Sequence, residues 1–552
     1  MTERPGSVPG GTGEITPTIP VDGMAGDSVT VAGWTIASRV TGFFRVAAIA
    51  AVLGPTFFGN LFEATNILPN LAFELLTGPL IAAMLVPHLV RLYDTRMRES
   101  EQQLAGGFLG VLLLVFAATI VIIVAAGPLV LGFLTILVPD TAVRAEQLAI
   151  GWPLLAMLMP QALFYAIAAT GSAVQNAHGK FALAAAAPAI ENVTIIAILG
   201  LSAFLFGVGL EVDEVSTAQI LLLGLGTTGA VALHAGVQWW GARKVGVTLV
   251  PRAGWRNPEV RKILRLAVPS TGFAALTAAR TIGLLVAVGS IPGGVIALQL
   301  GRYFFNFPVA VAARPVMVAQ LPRLSRAFND GDDAQFDETY RRGVDLVLFV
   351  VVPASLLMIA LAGPLARAAT YGEMATERGI ALAAVAIGTL AAGIVGESLF
   401  LTATSAFYAR HNARAPLVAT ALRLALTVAG TILAINMGQG IAVLAILGLS
   451  VAFSDLVTGF GLHNALERAL PPSRAPGRRV ERLLNLVVAA LAVATGLAFA
   501  SLARALTIPG RFSEAVVGTL AVAASYLIMQ RLRHSPELDE LIAVFRKQPA
   551  HV

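Results

Sequence analysis

Leu85-Val86-Pro87-His88-Leu89-Val90-Arg91 returns 235 residues later as Gln320-Leu321-Pro322-Arg323-Leu324-Ser325-Arg326. Each copy closes a long apolar stretch broken by prolines: Pro69, Pro79 and Pro87 in the first, Pro308, Pro315 and Pro322 in the second. A spanning helix needs roughly 20 largely apolar residues. Such runs fall near 28–54, 57–92, 104–126, 145–176, 181–208, 217–242, 260–290, 293–327, 338–363, 378–408, 414–436, 439–468, 480–506 and 512–533. Six helices separate the start of one proline-broken run from the start of the next, so the two copies share one orientation. The expectation is an all-α integral membrane protein of about 14 spans. Two parallel-repeat six-helix lobes, 28–243 and 260–468, are followed by two extra helices at 480–533. Gly127 to Val138 is too short to span and is expected at the interface.

Composition agrees, because 57% of the 552 residues are hydrophobic and 13% charged, where a soluble chain carries about 25% charge. With no cysteine, disulfides and thiolate chemistry are excluded. The net charge of +6 reads first as loop orientation. With the N-terminus inside, 27 of the 38 Lys and Arg fall in cytoplasmic segments and five outside, Arg144, Arg367, Arg378, Arg504 and Arg511. Both termini are thus expected in the cytoplasm, with 1–27 a disordered tail, uncleaved, and 534–552 a second tail.

The remaining six basic residues, Arg39, Arg45, Arg280, Arg302, Arg314 and Arg423, lie inside spans. A charge at mid-bilayer costs about 2.5–3.5 kcal/mol on insertion scales, so each must face a cavity or a partner. Arg39, Gly42 and Arg45 form an i, i+3, i+6 row, which aims both guanidinium groups at a common space about 9 Å apart in height. Arg302 stands beside Tyr303, Asn306 and Pro308. The planar fork of Arg donates two parallel hydrogen bonds and never loses its proton, which suits a phosphate. The competing reading pairs these arginines with internal acids among Glu63, Glu74, Glu191, Glu397 and Asp455. Glu74, Glu191, Glu397 and Asp455 are then either ion partners or sites of Na⁺ or H⁺ coupling.

Ser38-Arg39-Val40-Thr41-Gly42-Phe43-Phe44-Arg45, Leu68-Pro69-Asn70-Leu71 and Val86-Pro87 resemble the N-terminal signature of the lipid II flippases called MurJ or MviN. Gln175-Asn176-Ala177-His178-Gly179-Lys180-Phe181, Phe307-Pro308, Leu321-Pro322 and Phe407-Tyr408-Ala409-Arg410 match later stretches in order. The resemblance implies a fourteen-helix alternating-access fold of the multidrug/oligosaccharidyl-lipid/polysaccharide exporter superfamily in the cytoplasmic membrane. It further implies that a polyprenyl pyrophosphate-linked glycan, a peptidoglycan precursor, is flipped to the outer leaflet. Arg39, Arg45 and Arg302, with Ser38 and Asn60, would be its substrate contacts, cell-wall synthesis proteins its neighbours. The chain departs from the pattern at Asn60, where the family usually has Asp, and at Phe73-Glu74 in place of a basic pair. Leu76-Thr77-Gly78-Pro79 also replaces an Ala-Glu-Gly-Ala element. A differently linked or glycosylated lipid and a non-transporting scaffold therefore stay open.

No enzyme, metal or cofactor is expected. Gly224-Leu225-Gly226-Thr227-Thr228-Gly229 has no preceding strand, and His178-Gly179-Lys180-Phe181 lacks the leading Gly and hydroxyl of a phosphate loop. A membrane glycosyltransferase would need an acidic residue in a roomy outer loop, and the acidic outer cluster, Glu211, Asp213 and Glu214, reads as a solvated turn. The driving force is expected to be a Na⁺ or H⁺ gradient or the membrane potential.

Overall fold

The computed structural model describes residues 24–77, 85–470, 478–506 and 510–546, with the side chains of 24–32, 266–270 and 544–546 set aside. The expected N-terminal tail therefore lies mostly outside the described residues, as does Gly78-Pro79. Helix accounts for both lobes. The first contains α1 (Met24–Leu53), α2 (Phe57–Thr77), α3 (Val86–Asp94), α4 (Arg98–Ala125), α5 (Gly127–Leu134), α6 (Thr141–Leu158), α7 (Gln161–Ala177), α8 (Phe181–Phe206) and α9 (Thr217–Lys244). The second contains α10 (Pro258–Gly289), α11 (Gly294–Pro308), α12 (Arg314–Asn329), α13 (Asp333–Ala360), α14 (Ala362–Ala369), α15 (Glu377–Ala391), α16 (Ile394–Ala409), α17 (Arg414–Met437) and α18 (Ile441–Ala469).

The two series run in parallel, element for element. α4 and α13 each have 28 residues and each leads into an eight-residue helix, α5 and α14. The sequence reading singled out the first of these short helices and missed its counterpart. Proline-bearing α11 joins α12 through a π turn, Val309–Ala313, since a proline removes one backbone donor and frees a carbonyl. The span expected over 378–408 is two helices, α15 and α16, bent by 42°.

Among the described residues, twelve helices are long and apolar enough to cross a membrane, thirteen with that bent pair taken as one. The second expected span, 57–92, includes 78–84, outside the described residues. α19 (Arg478–Ala505) and α20 (Ser513–Leu532) follow the lobes and pack on each other and on α13. Phe349, Ala489, Ala492, Val522 and Tyr526 form the seam, while Arg482 binds Asp345 at 2.7 Å. Residues 534–552, expected as a tail, include a helix, α21 (Pro536–Arg546). It docks because Leu538 is buried against this seam and Glu540 meets Arg342 at 2.8 Å.

The lobes are pressed together at one end, the end that the basic-loop count assigns to the outside. Gly293 N–H donates to Thr56 O at 3.2 Å, and a side chain at Gly54 would strike Glu373. Gly54, Gly293 and Gly372 all have positive φ, 66°, 77° and 51°, and a Cβ at any of them would collide with the opposite lobe. Glycine is required there for both reasons. At the other end α3 packs on α4 and α7, and α12 on α13 and α16, while the start of α10 crosses to the first lobe, where Glu259 lies 3.4 Å from His88 and 3.8 Å from Arg91.

Candidate functional site

Gly42 orients the first group of site residues. A Cβ there would lie 3.2 Å from Tyr303 Oη on α11 and 3.5 Å from Asn192 Nδ2 on α8, so this face of α1 looks across the junction of the lobes. Asn192 anchors the row by donating to Ser38 O and Thr41 Oγ1, both at 3.3 Å. Ser38 thus contributes its backbone carbonyl to helix packing.

One turn toward the outer end, Arg45 Nη1 lies 3.9 Å from Glu191 Oε1, while the other Glu191 oxygen is held at 2.6 Å by His234 Nδ1. The contact is single and long, and Arg45 Nε is buried with no hydrogen-bond partner. Arg45 is therefore steadied by an acid without being saturated by it. One turn the other way, Arg39 is exposed, and among the described residues no carboxylate lies within ion-pair distance of it.

Arg302, on the opposite lobe, is half-buried, and among the described residues it too has no acid within ion-pair distance. Its nearest charges are Arg280, Glu74, Asp455 and Glu397, which act on it only through space. Glu74 of α2 is exposed and accepts a hydrogen bond from Asn70 Nδ2 at 3.1 Å, within electrostatic reach of Arg302 across the lobes. Gly42 of α1 meets Tyr303 of α11, so Arg39 and Arg45 lie one turn to either side of this contact on one lobe, and Arg302 is the neighbour of Tyr303 on the other.

The C-lobe charges behave differently. The 235-residue offset that relates the two proline-broken segments also carries Arg45 onto Arg280. Arg280, however, donates to Asp455 at 2.7 Å, to Ser454 at 3.0 Å and to Thr427 at 3.1 Å. Asp455 also faces Arg423 Nε at 3.2 Å, and Arg423 Nη1 reaches Glu397 at 2.7 Å. Glu397 and Asp455 are therefore ion-pair partners in a four-residue chain, Arg280–Asp455–Arg423–Glu397, joining α10, α16, α17 and α18. Small residues permit that closeness: a side chain on Gly396 or Gly459 would strike the backbone of the helix opposite. Arg314 is exposed, outside this network.

Asn60 is placed away from the arginines. It is 2% exposed; Nδ2 donates to Ile291 O at 2.6 Å and Gly289 O at 3.4 Å, and Oδ1 accepts from Val295 N–H at 2.9 Å. Both donors and the acceptor are engaged across the lobe interface, so in this state it offers a substrate nothing. A neutral amide suits these mixed backbone partners, for an Asp could not donate to the two carbonyls. Glu211 and Glu214 cap the short turn Val212–Glu214, which accounts for the acidic outer cluster. Sequence reasoning did not foresee His234 as the partner of Glu191, since the two are 43 positions apart.

Comparison with known proteins places this geometry. The family model described as Lipid II flippase MurJ matches residues 49–518. A probable lipid II flippase MurJ of Rhizobium tropici is 26% identical over 406 residues, covering 73% of this chain and 74% of that protein. The lipid II flippase MurJ of Burkholderia cenocepacia is 26% identical over 396 residues, 70% and 74% of the two chains. Among solved structures, a lipid II flippase MurJ in an inward closed conformation superimposes with a TM-score of 0.70 at 16% identity, over 91% of this chain and 99% of that one. An inward-facing multidrug resistance MATE family transporter of the MOP superfamily gives 0.56 at 15%, over 80% and 94%. At such identities the structures speak for the fold alone, but the family model spans most of the sequence: the chain belongs to the MurJ family of lipid II flippases.

Proposed function

We propose that this protein is an alternating-access flippase that carries lipid II, a polyprenyl pyrophosphate-linked peptidoglycan precursor, from the cytoplasmic to the outer leaflet. The observation that carries the reading is the set of arginines inside spans that lack a full ion pair, Arg39 and Arg45 on α1 and Arg302 on α11, on either side of the junction where Gly42 meets Tyr303. Such groups are costly within a membrane unless an anion arrives to meet them. The pyrophosphate would be gripped by these forks while the prenyl tail stays in lipid. The closed outer end supports a state whose access is from the cytoplasm, and the basic loops at the other end support both termini in the cytoplasm. Glu74, facing Arg302, would position the polar part of the headgroup.

The function is tested in proteoliposomes loaded with fluorescent lipid II, reading its accessibility to an external quencher. Wild type should expose the inner-leaflet pool without ATP and without new glycosidic bonds. Arg39→Ala and Arg45→Ala should abolish this while the purified variants keep their melting temperature. Undiminished rates in both variants would remove the basis of the reading.

A further inference from the structure

A different pair of residues lies at the lobe interface beyond the arginines. Glu63 on α2 is 4% exposed, and its Oε1 accepts a hydrogen bond from Gln299 Nε2 of α11 at 3.3 Å. Two polar atoms of this same pair, Glu63 Oε2 and Gln299 Oε1, are buried with no partner. Both are acceptors as long as the carboxyl is ionised. Adding one proton to Glu63 Oε2 converts it to a donor and gives each orphan the partner the other lacks. The result is a cyclic acid–amide pair with two hydrogen bonds bridging the lobes. Buried polar atoms are seldom left unmet, and here one proton accounts for two.

We propose that Glu63 is a proton-operated latch: protonated, it closes the outer end through Gln299, and it releases the lobes when it ionises. The location makes this a conformational device. Glu63 sits one turn along α2 from Asn60, whose amide holds the same turn of the opposite lobe. Separation of α2 from α11 would break the acid–amide pair and admit water to the carboxyl. Among the described residues, the charge that acts on Glu63 is Arg45 of α1. It favours the ionised form, but it is shared with Glu191, which His234 also holds. α11 offers Gln299 and, nearer Arg45, Tyr303; α7 offers Tyr165, which also faces Arg45. No further charge from α6, α7 or α10 acts on the Glu63 carboxyl among the described residues. Protons arriving from the outside would thus drive the return to the cytoplasm-open state, the step an exporter needs after releasing its cargo. The inference rests on the alternating access proposed above, but not on the identity of the cargo.

The chain has no cysteine, so spin labels can be placed at Val208→Cys and Arg378→Cys, on the outer ends of opposite lobes, and their separation measured by pulsed electron resonance without substrate. The ratio of closed to open protein should fall as pH rises, by up to about tenfold per pH unit, the slope of a single proton. Glu63→Gln, which reproduces both hydrogen bonds permanently, should stay closed at every pH. Gln299→Leu should populate the open form and flatten the pH response. Infrared spectra should show a protonated carboxyl band that disappears in Glu63→Gln. An unchanged pH response in Glu63→Gln, or no band assignable to Glu63, overturns the latch. Because no lipid is present, either failure leaves the flippase reading standing, and loss of lipid II flipping leaves the latch standing.

Discussion

Replacing Asn60 with Leu should open the outer end. The side chain is nearly isosteric, so packing is retained, but three hydrogen bonds to the opposite lobe vanish: those to Ile291 O at 2.6 Å, Gly289 O at 3.4 Å and from Val295 N at 2.9 Å. A net contribution of about 1 kcal/mol applies to each ordinary bond. The 3.4 Å bond is at the weak limit, so the closed state should lose about 2–3 kcal/mol relative to any state in which these backbone groups meet water. At 1.4 kcal/mol per factor of ten this shifts the equilibrium about 30- to 150-fold toward the open form. Pulsed electron resonance between labels at Val208→Cys and Arg378→Cys would display the shift as growth of a long-distance population. Asn60→Asp should move in the same direction, because the two donated bonds are lost and a buried carboxylate oxygen would face the Ile291 carbonyl. A distance distribution for Asn60→Leu superimposable on that of the unsubstituted background would refute the reasoning, since it would mean these bonds do not hold the lobes together.

Other expectations follow from the charge arrangement. Arg302→Lys should reduce lipid II flipping in proteoliposomes by at least tenfold with an unchanged melting temperature, because an ammonium cannot form the bidentate fork; activity within twofold of wild type would contradict a phosphate role. Asp455→Asn should instead destabilise the fold by about 3–5 kcal/mol, as it leaves Arg280 and Arg423 buried without their shared carboxylate. Denaturant titration in detergent would reveal it, and a loss below 1 kcal/mol would show that the network is not needed. Gly459→Ala should lower the melting temperature by several degrees, its methyl meeting the backbone of Gly396, whereas Gly461→Ala two residues on, on the other side of the helix with open space around it, should leave melting unchanged.

Much of the architecture was legible in the sequence, for a physical reason. A helix in lipid must satisfy its backbone internally and present an apolar surface along its whole length, so spans announce themselves residue by residue. A parallel repeat likewise shows as a proline pattern recurring 235 positions on, and the insertion cost of Arg39, Arg45 and Arg302 makes them conspicuous as soon as they are read. Tertiary structure alone decided what each charge does. Arg45 and Arg280 occupy equivalent positions, yet only the packing of α10 against α18 brings Asp455, 175 residues away, onto Arg280, whereas Arg45 keeps an unmet donor. Asn60, read as a substrate contact, proved to be a bond between lobes, and Glu63 emerged beside Gln299 only when α2 met α11. The price of a buried charge is written in one residue, but its neutralisation depends on which helices touch, and that is a property of the packed molecule.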